Sequence, residues 1–162
     1  MRAHRVVIYT LSAALLFPPR SVAQGSAASF QAGVTPLQDL GQLLEVGARF
    51  SPRGTFGGDV SIDVYPRAFT AAVLAGVVDF SLATNLRLGP GVTIEPRVGA
   101  SILGAVGTSG AVGVAGLNGG VGLVLRIDAG TTLRADYTFR ELMVGDELYP
   151  APSLTAGFVL HP

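Results

Sequence analysis

Few residues in this chain can do acid–base or nucleophilic chemistry. The 162 residues include two His, His4 and His161, and no Cys. With no Cys there is no thiol nucleophile, disulfide or Cys-type zinc site. His161 follows the last strand-like segment, so a Ser-His-acid triad would have its base at a frayed strand end and is not expected. Asp59 and Asp63 lie four apart and share one strand face. Paired carboxylates can serve as a general acid and base or hold a cation. The arginine-rich face they share favours ion pairing instead. Glu141, Asp146 and Glu147 cluster in a late connection, where a bridging cation competes with plain solvation, and solvation is favoured. The Gly-rich run 104–116 contains no Gly-Lys-Ser/Thr and is not a phosphate loop. No catalytic, cofactor-binding or metal-binding residue is expected, and no cofactor.

The remaining charges are patterned. Glu45, Asp59, Asp63, Asp79, Glu95 and Asp136 fall on polar faces of alternating segments, with Arg49, Arg87, Arg97, Arg126, Arg134 and Arg140. The opposite faces carry no charge. Six acids against six Arg on one face reads as a paired network, because an unpaired buried charge costs several kcal/mol. Arg suits such a network, since its planar fork matches a carboxylate.

These charges sit on strands. In 131–140, Leu133, Ala135, Tyr137 and Phe139 alternate with Thr132, Arg134, Asp136, Thr138 and Arg140. Such period-two alternation marks a strand with unlike faces. It recurs in 44–51, 55–64, 78–88, 92–102, 117–127 and 154–160, and more weakly in 30–35, giving eight strands. Tight Gly-containing turns at 52–54, 89–91 and 128–130 alternate with longer connections around 36–42, 65–71, 104–112 and 142–152. Pro96 interrupts one strand and removes a ladder donor. The run 70–78 is nearly all apolar and reads as a strand top or a short helix. Within 104–116 a bulge before Leu117 is a candidate for a face change.

Composition agrees with a membrane. Hydrophobic residues make up 49 % and charged ones 14 %, and mean hydropathy is +0.50. No apolar stretch beyond the N-terminal region is long enough for a transmembrane helix. A closed barrel is the other spanning solution, because lipid offers no partner to a backbone N–H or C=O. Arg2 and Arg5, the apolar run 6–17 and the small residues Ser21-Val22-Ala23 form an export signal over residues 1–23, with cleavage after Ala23. Residues 24–162 are then the barrel domain. The signal takes Arg2, Arg5 and Arg20 with it, leaving acids in excess, which argues against a nucleic-acid partner.

With these strands, turns and charges, the chain resembles the small outer-membrane β-barrels, the group of the OmpA transmembrane domain and the OmpX-like proteins. The resemblance covers residues 28–161 and rests on architecture. It implies an all-β, eight-stranded, antiparallel up-and-down transmembrane barrel with short periplasmic turns and longer external loops. It also implies a bacterial outer-membrane location, outer-membrane lipid and lipopolysaccharide as surroundings, and the barrel-assembly machinery as a partner. The family's terminal-strand signal ends in an aromatic; here Leu154, Ala156, Phe158 and Leu160 alternate, but Leu160-His161-Pro162 follows.

Three functions are open to such a sequence. One is a monomeric, non-enzymatic barrel with a charge-filled lumen and a structural or adhesive role through its loops. The second is a narrow channel for ions or small solutes. The third is a soluble periplasmic carrier of calycin type, which shows the same alternation with the faces reversed. Phe50, Phe56 and Phe158 near the turns, with Tyr65, Phe69, Phe139 and Tyr149 near the loops, approximate two interfacial girdles and favour a membrane.

Overall fold

The computed structural model describes residues 26–37, 41–66, 73–108 and 110–160. The expected export signal and Phe69 lie outside the described residues.

Alternation turns into strands along nearly the whole described chain. The strands are β1 (Ser26–Leu37), β2 (Gly41–Pro52), β3 (Phe56–Val64), β4 (Leu74–Thr84), β5 (Leu86–Gly89), β6 (Val92–Gly107), β7 (Gly110–Arg126), β8 (Thr132–Val144), β9 (Glu147–Pro150) and β10 (Ser153–Leu160). All pairings are antiparallel, in the order β1-β2-β3-β4-β6-β7-β8-β10, and β10 returns to β1. The sheet is therefore closed. Eight strands form the wall, because β5 continues β4 and β9 continues β10's line along β8.

Both interruptions have a proline cause. Ala83 pairs with Arg97 and Leu86 with Ile94, but the rungs between them are missing. Pro96 stands in that gap with no N–H to offer. The break is used: Asn85 turns away, donating its backbone N–H to the Thr55 carbonyl at 2.7 Å and its side-chain amide to the Pro52 and Gly54 carbonyls at 2.7 and 2.6 Å. Likewise the β8–β9 rungs stop at Glu141↔Pro150 and resume as β8–β10 at Thr138↔Ser153, across Ala151-Pro152.

Two of the expected long connections, 104–112 and 142–152, are largely strand. Residues 101–107 and 110–116 pair rung by rung from Ser101↔Gly116 to Gly107↔Gly110, with no bulge before Leu117 and no change of face. Met143↔Leu148 and Val144↔Glu147 extend another hairpin to a two-residue turn, where Gly145 takes φ +66°. Such turns need positive φ, which Gly adopts without cost. Residues 74–78, readable as strand top or helix, are strand. At the opposite end Asp128 accepts N–H bonds from Gly130 and Thr131, both at 2.8 Å. Those two backbone donors hold its carboxyl below the usual carboxylate range.

The two faces are inverted relative to a soluble barrel. Phe30, Leu82, Val98, Leu117, Leu154 and Phe158 are exposed, Leu117 to 70 %, whereas Arg49 and Arg140 are each 1 % exposed. Water would not tolerate so continuous an apolar band, and lipid requires it. The soluble carrier reading therefore falls, because its apolar face would point inward. Phe30 and Phe158 are cross-strand partners on this outer face near the turn end. Tyr65, expected in a girdle, is instead inside and 2 % exposed. Val64 faces out, so the next residue along the strand line faces in.

Replacing Asn85 by Ala removes two side-chain bonds holding the β2–β3 turn. An Asn85→Ala variant is expected to unfold about 1–2 kcal/mol more easily in a urea titration in detergent. An unchanged midpoint would mean that the turn is held without it.

A buried ion-pair lumen as the candidate functional site

Inward positions on eight strands converge on a narrow interior, so long charged side chains there must meet. Arg134 on β8 lies between two acids: its Nε is 2.6 Å from Asp136 Oδ2 and its Nη2 is 2.5 Å from Glu95 Oε2 on β6. Its Nη1 donates across the lumen to Ser51 Oγ on β2 at 2.8 Å. Arg97 on β6 reaches Asp136 Oδ1 at 2.6 Å and Thr138 Oγ1 at 2.9 Å. Arg49 on β2 pairs with Asp59 on β3 at 2.8 Å, and Ser51 donates to the other Asp59 oxygen at 2.7 Å.

Arg97 gets to Asp136 by passing over β7, which separates β6 from β8. The passage is open because Gly122 has no side chain. A Cβ there would lie 2.7 Å from Asp136 Oδ1, 2.8 Å from Arg134 Nη2 and 3.1 Å from Arg97 Nη1. The glycines on the inner face of β7 are thus the slot that the ion pair fills.

Nearer the loop end, Arg140 on β8 crosses to Asp79 on β4, with Nε 3.0 Å from Oδ1 and Nη2 2.8 Å from Oδ2. This is a fork–fork pair, the geometry that makes Arg–carboxylate contacts strong. Asp79 also accepts from Ser101 at 2.6 Å and Ser61 at 3.0 Å. Asn118 joins Ser81 to Ser101. Asp63 accepts from Gln31 at 2.8 Å and is 3.9 Å from Arg140. Among the described residues no Arg lies within ion-pair distance of Glu45; Thr35 donates to it at 2.6 Å, and Ser153 donates to its other oxygen.

Ten of the twelve charges assigned to the lumen from sequence are buried there: Glu45, Arg49, Asp59, Asp63, Asp79, Glu95, Arg97, Arg134, Asp136 and Arg140. Arg87 and Arg126 are exposed. Alternation gives them the inward phase, but it carries no information about depth. Both stand beside the short turns, Arg87 opposite Thr93 and Arg126 opposite Thr132, past the last closed layer. The one-to-one charge balance read from the sequence is therefore six acids to four Arg among the described residues. The imbalance is local. The turn-side half matches Arg49, Arg97 and Arg134 to Asp59, Glu95 and Asp136. Among the described residues, the loop-side half sets Arg140 against Glu45, Asp63 and Asp79.

Two features went unread in the sequence. Gln31, Thr35, Ser51, Ser61, Ser101 and Ser153 are the neutral donors to the carboxylates; their signal is the inward phase they share with the charges. The second is an apolar stopper. Tyr65, Val77, Leu142 and Ala151 are all buried at the loop end, none more than 4 % exposed. Leu142 continues the inward phase of Arg134, Asp136, Thr138 and Arg140, and its neighbour Glu141 faces out. Chemistry swaps faces there, as it must where a strand leaves lipid.

The barrel matches solved membrane barrels. The N-terminal β-barrel domain of Pseudomonas aeruginosa OprF superposes with a TM-score of 0.58 at 12 % identity, over 83 % of this chain and 97 % of that one. Ail, the attachment invasion locus protein of Yersinia pestis, in a complex with the heparin analogue sucrose octasulfate, superposes with a TM-score of 0.50 at 14 % identity, over 84 % and 97 %. No protein-family model matches the chain, and no curated protein does. The chain has the architecture of the small outer-membrane barrels: eight antiparallel strands, closed, apolar outside and polar within.

Asp136 holds two buried guanidiniums. Asp136→Ala leaves both without that carboxylate and is expected to cost about 3–5 kcal/mol in urea unfolding. Asp136→Asn, which keeps an acceptor, is expected to cost less. Equal midpoints for wild type and the Ala variant would contradict the pairing.

Proposed function

We propose that this protein is a non-enzymatic integral outer-membrane barrel that passes no bulk solute and acts structurally, or adhesively through its loop-end hairpins. Residues 1–23 serve as its export signal. Outer-membrane lipid, lipopolysaccharide and the barrel-assembly machinery are its partners, and it works as a monomer. The observation that carries this reading is the filled lumen. Arg134 and Arg140 bond across the interior, Arg97 bonds over β7, and Tyr65, Val77, Leu142 and Ala151 are buried at the loop end. An eight-stranded interior is just wide enough for side chains, so a network of this density leaves no continuous water path. The loop-end hairpin of β8 and β9 presents Met143, Leu148 and Tyr149 outward, suited to contact with another surface.

Planar-bilayer recording on the purified, refolded protein tests the closed lumen. No stepwise conductance is expected. Reproducible steps in wild type that vanish in an Arg97→Ala variant would replace this reading with a narrow channel.

A further inference from the structure

Seven arginines are described. Arg49, Arg97, Arg134 and Arg140 are consumed by the lumen, and Arg53, Arg87 and Arg126 are exposed. All three exposed ones lie at the turn end. Arg53 is in the β2–β3 turn, Arg87 in β5 beside the β5–β6 turn, and Arg126 at the end of β7.

They form one arc of the rim. The Asn85 amide binds the carbonyls of Pro52 and Gly54, on either side of Arg53, and Asn85 is two residues from Arg87. The backbone N–H of Arg126 donates to the Gly91 carbonyl at 2.7 Å, tying β7 to the β5–β6 turn. Among the described residues the exposed acid at this end is Asp128; its own turn engages it most, with Arg126 a lesser electrostatic influence. Its Oδ1 takes the Gly130 and Thr131 amides, and Arg126 Nε meets its backbone carbonyl, not its carboxylate. Among the described residues no ion pair neutralises these three guanidiniums. The exposed acids Glu141, Asp146 and Glu147 sit at the opposite end.

The arc borders the apolar band. Phe56, Leu86, Leu88 and Ile127 are exposed around it, Leu88 to 65 %. Leu86 and Leu88 bracket Arg87, so the hydrocarbon boundary falls at this turn. Arg87 and Arg126 carry the inward phase yet are exposed at the turn end, past the buried lumen charges. An Arg stem lies along apolar surface while its head stays at the polar interface, and its fork matches phosphate oxygens.

We infer that Arg53, Arg87 and Arg126 form a collar that binds the phosphates of anionic phospholipids in the leaflet at the turn end. The inference rests on the membrane-barrel reading above.

The test is to refold the protein into phosphatidylcholine vesicles with and without phosphatidylglycerol and to compare urea midpoints. The heat-modifiable gel band in both vesicles reports the folded barrel independently of any lipid preference. Phosphatidylglycerol is expected to raise the wild-type midpoint, and added salt to cancel the rise, since exposed charges are screened. The triple variant Arg53→Gln/Arg87→Gln/Arg126→Gln is expected to lose the rise. The loop-end variant Glu141→Gln/Asp146→Asn/Glu147→Gln is expected to keep it. If the triple variant does not fold, single variants are each expected to lose roughly a third of the rise. The collar is overturned if wild type shows no rise, or if the arginine variants keep it in full. It is also overturned if inorganic phosphate raises the midpoint of detergent-held protein equally, because the site would then bind a free anion.

Discussion

The seam between β1 and β10 is the contact on which the rest of the structure depends. Its register runs from Ala28↔Leu160 to Val34↔Leu154. Without it the sheet has two edges, and each edge presents N–H and C=O groups that hydrocarbon cannot satisfy. With it, each of β1, β2, β3, β4, β6, β7, β8 and β10 has two neighbours, and only then does the alternation of side chains define an inside and an outside. Pro96 shows how firmly this holds. A proline inside a closed wall has no edge to sit on, so the wall opens locally between β4 and β5, and Asn85 rebuilds the lost bonding on the next turn.

Closure then dictates the interior. Side chains turned inward lose most of their water, so each charge needs a partner within reach. Glycines on β7 make room for Arg97 to pass, and Arg140 and Arg134 span the lumen to β4 and β2. Such a network is weak proof of stability, since a well-packed apolar replacement often does as well. It fixes register instead: a one-residue slip of β8 would turn Arg134, Asp136 and Arg140 into lipid. The apolar quartet at the loop end marks where the chain stops obeying this inverted rule and buries carbon again.

Much of this was legible from residue order. Leu133 to Arg140 alone shows the strand and its two faces. Charge confined to one face, with Arg as the cation, separates a lumen from a wetted surface. Phase was readable but depth was not. Arg87 and Arg126 have the right phase for the lumen and stand at its mouth, and Tyr65 has an interfacial residue type but inward phase. The connections were misjudged for a related reason. Gly, Ala and Val in 104–116 carry too little contrast between faces to reveal a strand, although the backbone pairs along both arms of that hairpin. The partners of Glu45 and Asp63 were hidden because Thr35, Ser153 and Gln31 come from strands distant in sequence or weak in pattern.

The chain contains no Cys, so single cysteines can be placed at will and labelled with nitroxide. Labels at Leu133, Ala135, Tyr137 and Phe139 along β8 would report which medium the outer face meets in reconstituted vesicles. An inverted, lipid-embedded barrel requires all four to collide with oxygen, most strongly in the middle of the strand, and to be shielded from a water-soluble nickel chelate. Labels that are immobilised and shielded from both reagents, or open to the nickel chelate along the whole strand, would contradict the account.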